Sequence, residues 1–126
     1  MIICWKSTYK IGDIEIDEQH QALFDKANAF MASIDKPMLD ACATAFYEYT
    51  CTHFSHEETL MVDIRYPGFD RHIQQHHKLL ASLNEILEDV AESNLSKSRL
   101  ESFLNDTFLA HIRAFDTQLA AFVRVQ

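Results

Sequence analysis

The chain has 126 residues, enough for one domain with a single core, and its hydrophobic content of 48% is ordinary for a globular protein. A formal net charge of −8 argues against a nucleic-acid partner, which requires a basic patch. Two Gly and two Pro suit long helices with short connections and suit a sheet-rich fold poorly. Met1 to Cys4 is too short for a signal peptide, and no apolar run is long enough to span a membrane, so the expected location is cytoplasmic and no membrane partner is expected. Cys4, Cys42 and Cys51 are odd in number and widely spaced, which fits reduced thiols, and the lack of a CxxC argues against a thiolate zinc site.

Residues 1–17 carry no helical period and read as an N-terminal arm, with Asp17 as the N-cap of a first helix over about 18–35. Its apolar stripe is His20, Leu23, Phe24, Ala27, Phe30, Met31 and Ile34, spaced by threes and fours. Pro37 sets the break before a second helix over about 38–65, whose inward face is Cys42, Phe46, Tyr49, His53, Glu57, Leu60, Met61 and Ile64. Tyr66-Pro67-Gly68 is a stop and turn. A third helix over about 70–91 presents His72, His76, Leu79, Leu80, Leu83, Leu87 and Val90. The polar stretch from Glu92 to Ser98 reads as a loop, with Ser96 or Ser98 available to cap a fourth helix over about 97–123. That helix shows Leu100, Leu104, Phe108, His111, Phe115, Leu119 and Phe122 on one face. The expected fold is all-α: one domain, an up-down-up-down antiparallel four-helix bundle behind an N-terminal arm.

That topology brings the chemistry-bearing residues to one end. His20 and the pair His72 and His76 lie near the starts of helices one and three. His53 with Glu57, and His111 with Asp116, lie in the last halves of helices two and four. At about 1.5 Å rise per residue all seven fall within roughly 15 Å of the common end. A buried carboxylate needs a partner or a metal, and histidine is the commonest metal ligand. His56 and His77 lie off these faces and read as surface histidines. Zinc is the main rival, but His56-Glu57-Glu58-Thr59-Leu60 carries Leu60 where an HExxH protease motif needs its second His, and zinc needs only three or four ligands. Seven ligands match two six-coordinate ions that share bridging carboxylates. Five imidazoles with two carboxylates favour iron, without excluding manganese or cobalt. His111 and Asp116 are five apart, roughly 140° on an ideal helix, so either the helix widens by a local π-like turn between them, which is the favoured reading, or Asp116 reaches round from the flank.

The chain resembles the hemerythrin family, and within it the bacterial hemerythrins. The resemblance runs through Trp5, Ile16-Asp17-Glu18-Gln19-His20, His53-Phe54-Ser55-His56-Glu57-Glu58, Tyr66-Pro67, His72 with His76, and His111-Ile112 with Asp116. It implies reversible O2 binding at a non-heme di-iron site, for oxygen storage, delivery or sensing. His72, His76 and His111 would hold one iron and His20 and His53 the other. Glu57 and Asp116 would bridge the two, together with an oxo or hydroxo group, leaving one open position on the second iron. NO and small anions such as azide would be further ligands of that position. Leu23, Phe24, Phe54, Phe108 and Ile112 lie within a turn of a ligand and are the expected lining of a dry O2 pocket. Thr107 stands where the family usually carries an aromatic, commonly Trp, and implies a more open and wetter path. The enzyme alternative is a di-iron peroxidase, oxidase or nitric-oxide reductase using the same open position. Ferritin-like oxidases use a carboxylate-rich ligand set, whereas five neutral imidazoles favour the ferrous state and a reversible adduct, so a binding protein is expected rather than an enzyme.

Overall fold

The structure is a computed structural model and describes residues 3–125. Among these residues there are four long helices and no strand. They are α1 (Ile14–Met31), α2 (Lys36–Asp63), α3 (Phe69–Ala91) and α4, which runs over 97–123 with two departures from α geometry. Connections of four or five residues, 32–35, 64–68 and 92–96, reverse the chain each time, and the result is an antiparallel up-down-up-down bundle.

Each start has a physical cause. Asp35 accepts from the Met38 N–H at 2.9 Å and caps α2, and Ser96 accepts from the Arg99 N–H at 3.1 Å and caps α4. Pro37 lies inside the first turn of α2 rather than ahead of it, where its missing N–H costs nothing. Helices α2 and α3 end alike. Arg65 (φ 55°) and Ser93 (φ 58°) adopt left-handed backbone, while Tyr66 N–H reaches Met61 O and Asn94 N–H reaches Asp89 O. These are the six-to-one bonds of a Schellman ending, made here without glycine. Gly68 opens α3 because a Cβ there would meet the Tyr66 ring at 2.8 Å.

The first helix differs from the sequence expectation at both ends. It begins at Ile14, capped by Asp13, whose carboxylate accepts from Ile16 N–H at 3.0 Å. Asp17 is not the cap. It is buried inside the first turn and accepts from Ile11 N–H (2.7 Å) and Gly12 N–H (3.3 Å), tying the arm to the helix. Both Asp residues can cap, and the arm's need for an acceptor decides between them. At the other end α1 stops at Met31, so Ile34 lies beyond the stripe and is 88% exposed.

The arm is held at its far end too. Asn28 on α1 takes Ile3 in a two-way clamp, accepting from its N–H at 2.9 Å and donating to its carbonyl at 2.8 Å. Between the two ties runs a short 3-10 turn, Ser7–Tyr9, with Tyr9 buried and Trp5 half-buried against the bundle.

The apolar core is in two parts. The larger holds Leu23, Phe24, Phe30, Phe46, Leu83, Leu104 and Phe108, and the smaller holds Ile11, Ile16, Met61, Leu119 and Ala120. On every helix one predicted ligand position falls between these two parts: His20 between Ile16 and Leu23, Glu57 between Phe54 and Met61, His76 between Ile73 and Leu79, Asp116 between Ile112 and Leu119. A buried polar layer thus crosses the bundle.

Candidate metal centre

Five histidines and two carboxylates from four helices meet in that layer. His20, His53, Glu57, His72, His76 and Asp116 are each at most 2% exposed, and His111 is 7% exposed. Ligand atoms of Glu57, His72, His76, His111 and Asp116 lie within 4.8 Å of one another, and so do those of His20, His53 and Glu57.

Every imidazole turns its Nε2 toward the carboxylates. His72 and His76 Nε2 lie 2.7 and 2.9 Å from Glu57 Oε1, and His53 and His20 Nε2 lie 3.3 and 3.6 Å from Glu57 Oε2. Asp116 divides in the same way. Its Oδ1 is 3.1 Å from His72 Nε2 and 3.2 Å from His111 Nε2, and its Oδ2 is 3.1 Å from His20 Nε2. Each carboxylate therefore offers one oxygen to a three-histidine group and the other to a two-histidine group.

Local structure explains how Asp116 joins. Residues Ile112–Asp116 form a π-turn, in which Thr117 N–H bonds to Ile112 O, five residues back. In such a turn the fifth residue takes the place that the fourth holds in an α-helix, which brings Asp116 back over the face of His111. A second π segment, Phe103–Leu109, was not expected from the sequence.

The electrostatics are those of a compensated charge cluster. Burial disfavours the cation of His20, yet the Asp116 and Glu57 carboxylates that face it outweigh the burial and push its pKa up to about 10. The same balance pushes His72 up to about 9, and His76 is raised by Glu57 and Glu58 against its burial. Burial pushes His53 down, and the neighbouring His20 cation adds to the effect. Burial would raise Glu57, but four histidines hold it well below the usual carboxylate range. Asp116 is likewise held far below its ordinary value, its burial and the Glu57 charge being overcome by His111 and His20.

The residues fit a pair of cations. Among the described residues, every buried side-chain nitrogen or oxygen that lacks a hydrogen-bond partner belongs to this layer: His20 Nδ1 and Nε2, His53 Nε2, Glu57 Oε2, His72 Nδ1, His111 Nδ1 and Nε2, and Asp116 Oδ1. Such orphans are rare in native interiors. Most of them point at one another across the layer, which is the signature of a donor set for ions rather than of a hydrogen-bond network.

The surroundings are apolar on one side and open on another. Leu23, Phe24, Phe54, Phe108 and Ile112 are all buried. Phe54 stacks on the His76 ring at 3.7 Å, in the three-histidine group, and Phe24 packs on Phe108 at 5.8 Å. Thr107 is half-exposed and borders a surface cleft of about 250 Å³ that it shares with Gln75, Lys78, Leu79, His111 and Phe115. The opening at Thr107 thus meets the three-histidine group.

His56 and His77 are exposed, as the sequence suggests. Three residues around the layer escaped the ligand reading. Trp5 packs its ring 5.9 Å from that of His20, Glu58 accepts from His76 Nδ1–H at 2.8 Å, and Gln19 accepts from His53 Nδ1–H at 2.9 Å. Gln19 and Glu58 are chain neighbours of His20 and Glu57 and lie in the two segments that carry the family resemblance.

Comparison with known proteins agrees with this geometry. The family described as Hemerythrin HHE cation binding domain matches residues 12–123. The chain is 28% identical over 112 residues to a hemerythrin subunit of Sipunculus nudus, covering 89% of this chain and 86% of that protein. It is 26% identical over 123 residues to a bacteriohemerythrin of Stenotrophomonas maltophilia (strain R551-3), covering 94% of this chain and 80% of that protein. A crystal structure of a hemerythrin point mutant superposes with a TM-score of 0.83 at 21% identity, with 96% of each chain covered. The chain belongs to the hemerythrin family.

Proposed function

We propose that this chain binds O2 reversibly at two non-heme irons, with His72, His76 and His111 holding one, His20 and His53 holding the other, and Glu57 and Asp116 bridging them. The observation that carries this reading is the division of each carboxylate, one oxygen toward each histidine group. A single ion would draw both oxygens to one side. When bound in the ferrous state, such a pair supplies two electrons together to a small ligand such as O2.

The chain's own residues set the conditions. The bridging carboxylates neutralise part of the ions' charge without the excess of anionic ligands that would favour higher oxidation states. Glu58 and Gln19 orient His76 and His53 by taking their Nδ1–H. The two-histidine position has fewer protein ligands, and a small exogenous molecule is placed there. Trp5 beside His20, Phe24 against Trp5 and Phe108 against Phe24 supply apolar bulk, and with the buried Leu23 and Ile112 they keep water and protons from that position.

A di-iron enzyme, whether peroxidase, oxidase or nitric-oxide reductase, would use the same ligands and the same two-histidine position. Optical titration of the anaerobically reduced protein with O2, followed by O2 removal, separates the two. A charge-transfer band that appears and disappears reversibly is expected. Rapid oxidation that O2 removal does not undo would replace the carrier reading with the enzyme one. Metal analysis is expected to give two irons per chain.

A further inference from the structure

Two imidazoles of the layer have a polar side chain on the nitrogen that faces away from the carboxylates, and there is one in each histidine group. In the three-histidine group His76 Nδ1–H donates to the Glu58 carboxylate at 2.8 Å. In the two-histidine group His53 Nδ1–H donates to the Gln19 amide oxygen at 2.9 Å. His20, His72 and His111 have no hydrogen-bond partner on Nδ1. The two groups therefore differ in the charge that stands behind them, an anion behind one and a neutral amide behind the other.

The orientation of that amide is itself fixed. Gln19 is 9% exposed and sits between two imidazoles. Its oxygen faces His53, and its Nε2 lies 2.5 Å from His56 Nδ1 on the exposed side of α2, a nitrogen that also stands 3.2 Å from Glu15 Oε1. Rotating the amide by half a turn would set an N–H against the His53 Nδ1–H and lose that bond. Gln19 thus holds His53 in the tautomer whose Nε2 lone pair points into the layer.

Taking the cluster as the iron pair proposed above, we infer that Gln19 is a positioning residue that makes the two ion positions unequal. A carboxylate behind an imidazole draws its proton, raises ligand basicity and stabilises the more highly charged ion, and an amide does this far less. The position with two histidines is thereby also the one with the weaker hold on its ion and the stronger preference for the ferrous state. Glu58 does the opposite for the other position.

The test uses Gln19→Glu, Gln19→Leu and Glu58→Gln. The first and last are near-isosteric and change the charge behind one imidazole, and Gln19→Glu also replaces the amide nitrogen facing His56 by an oxygen. Metal-free chains are titrated anaerobically with ferrous ion, and the reduction potentials of the iron-loaded chains are measured. Gln19→Leu is expected to weaken the looser of two binding steps by about 10–100-fold, the usual loss of an outer partner, and to leave the tighter step within a few-fold. Gln19→Glu is expected to tighten that same step and to lower one of the two potentials. Glu58→Gln is expected to weaken the tighter step and raise the other potential. Wild-type chain that takes up two ions while Gln19→Glu leaves both steps and both potentials in place would overturn the inference and spare the iron-pair reading. Wild-type chain that takes up fewer than two ions would overturn both.

Discussion

At the scale of single residues, the layer is a store of protons that ions must displace. His20 and His72 have folded pKa values of about 10 and about 9 against an ordinary 6.5, so both carry a proton at neutral pH in the metal-free protein. A raised pKa contributes stability that is complete below about pH 6.5 and is lost as pH climbs through 9 and 10. Glu57 and Asp116 run the other way, their contribution being present above about pH 4 and lost as pH falls through their depressed values. Burial of His53 works against the folded state as pH falls below about 6.5, so the metal-free chain should melt highest toward the upper end of the window between about pH 4 and 6.5 and become less stable toward pH 10. Ion binding at pH 7 should release the His20 and His72 protons, because a coordinating imidazole is neutral. Calorimetric titration in buffers of differing ionisation heat measures that release. A heat of binding that does not depend on the buffer would show that these two histidines are not displaced.

Among the elements, α4 is the unusual one. Its π-turn at Ile112–Asp116 holds one residue more than an α-turn does and turns Asp116 toward the layer. Deleting the exposed Arg113 should let this stretch close into regular α-helix with Asp116 four residues after His111, which keeps Asp116 on the face of His111 and Leu119 in the small core. The expected variant melts, without metal, at or above the parent temperature and still binds its ions; a folded variant that no longer binds them would show that the widened turn itself sets the Asp116 carboxylate. A variant that unfolds would show the widened turn to be needed for packing as well.

This helix also marks where sequence reading works and where it stops. A spacing of five between His111 and Asp116 conflicts with an ideal helix, so the irregularity there could be read in advance. The π segment at Phe103–Leu109 joins no such pair of ligands, and nothing in Phe-Leu-Asn-Asp-Thr-Phe-Leu distinguishes it from ordinary helix. The three long stripes and the turn at Tyr66-Pro67-Gly68 were legible because period and breaker residues are local signals. The start of α1 was not, since Asp13 and Asp17 are equally good caps and only the folded arm chooses. In the layer, the residues that point inward could be named from helical phase. Gln19, Glu58 and Trp5 act from neighbouring faces or from the arm, where phase says nothing.

For the molecule as a whole, the divided core is the main consequence of placing polar residues across a bundle. Each buried polar atom left unpaired costs about 1–3 kcal/mol, and among the described residues eight are unpaired, all in the layer. Ions that engage even half of them should raise the melting temperature by more than roughly 10 °C, at about 4 °C per kcal/mol for a chain of this size. Mutual repulsion of the buried Glu57 and Asp116 adds to this, and the histidines that ring each carboxylate offset it. The two apolar parts should also respond differently. Without ions, amides near Met61 at the end of α2, beside the small cluster, should exchange with solvent sooner than those near Phe46, in the large one. Uniform exchange along α2 would show that the two parts open as one.

Trp5 gives the chain a built-in optical gauge. It is the only tryptophan in the sequence, and the arm holds its ring 5.9 Å from that of His20. Excited indole loses its energy to a nearby absorbing or paramagnetic centre, so its emission should dim as iron fills the position beside His20 and recover when a chelator removes it. Loosening the Asn28 clamp by Asn28→Ala should free the arm, brighten the loaded protein and uncouple the light from the metal. Emission that ignores iron would place the loaded site away from the arm.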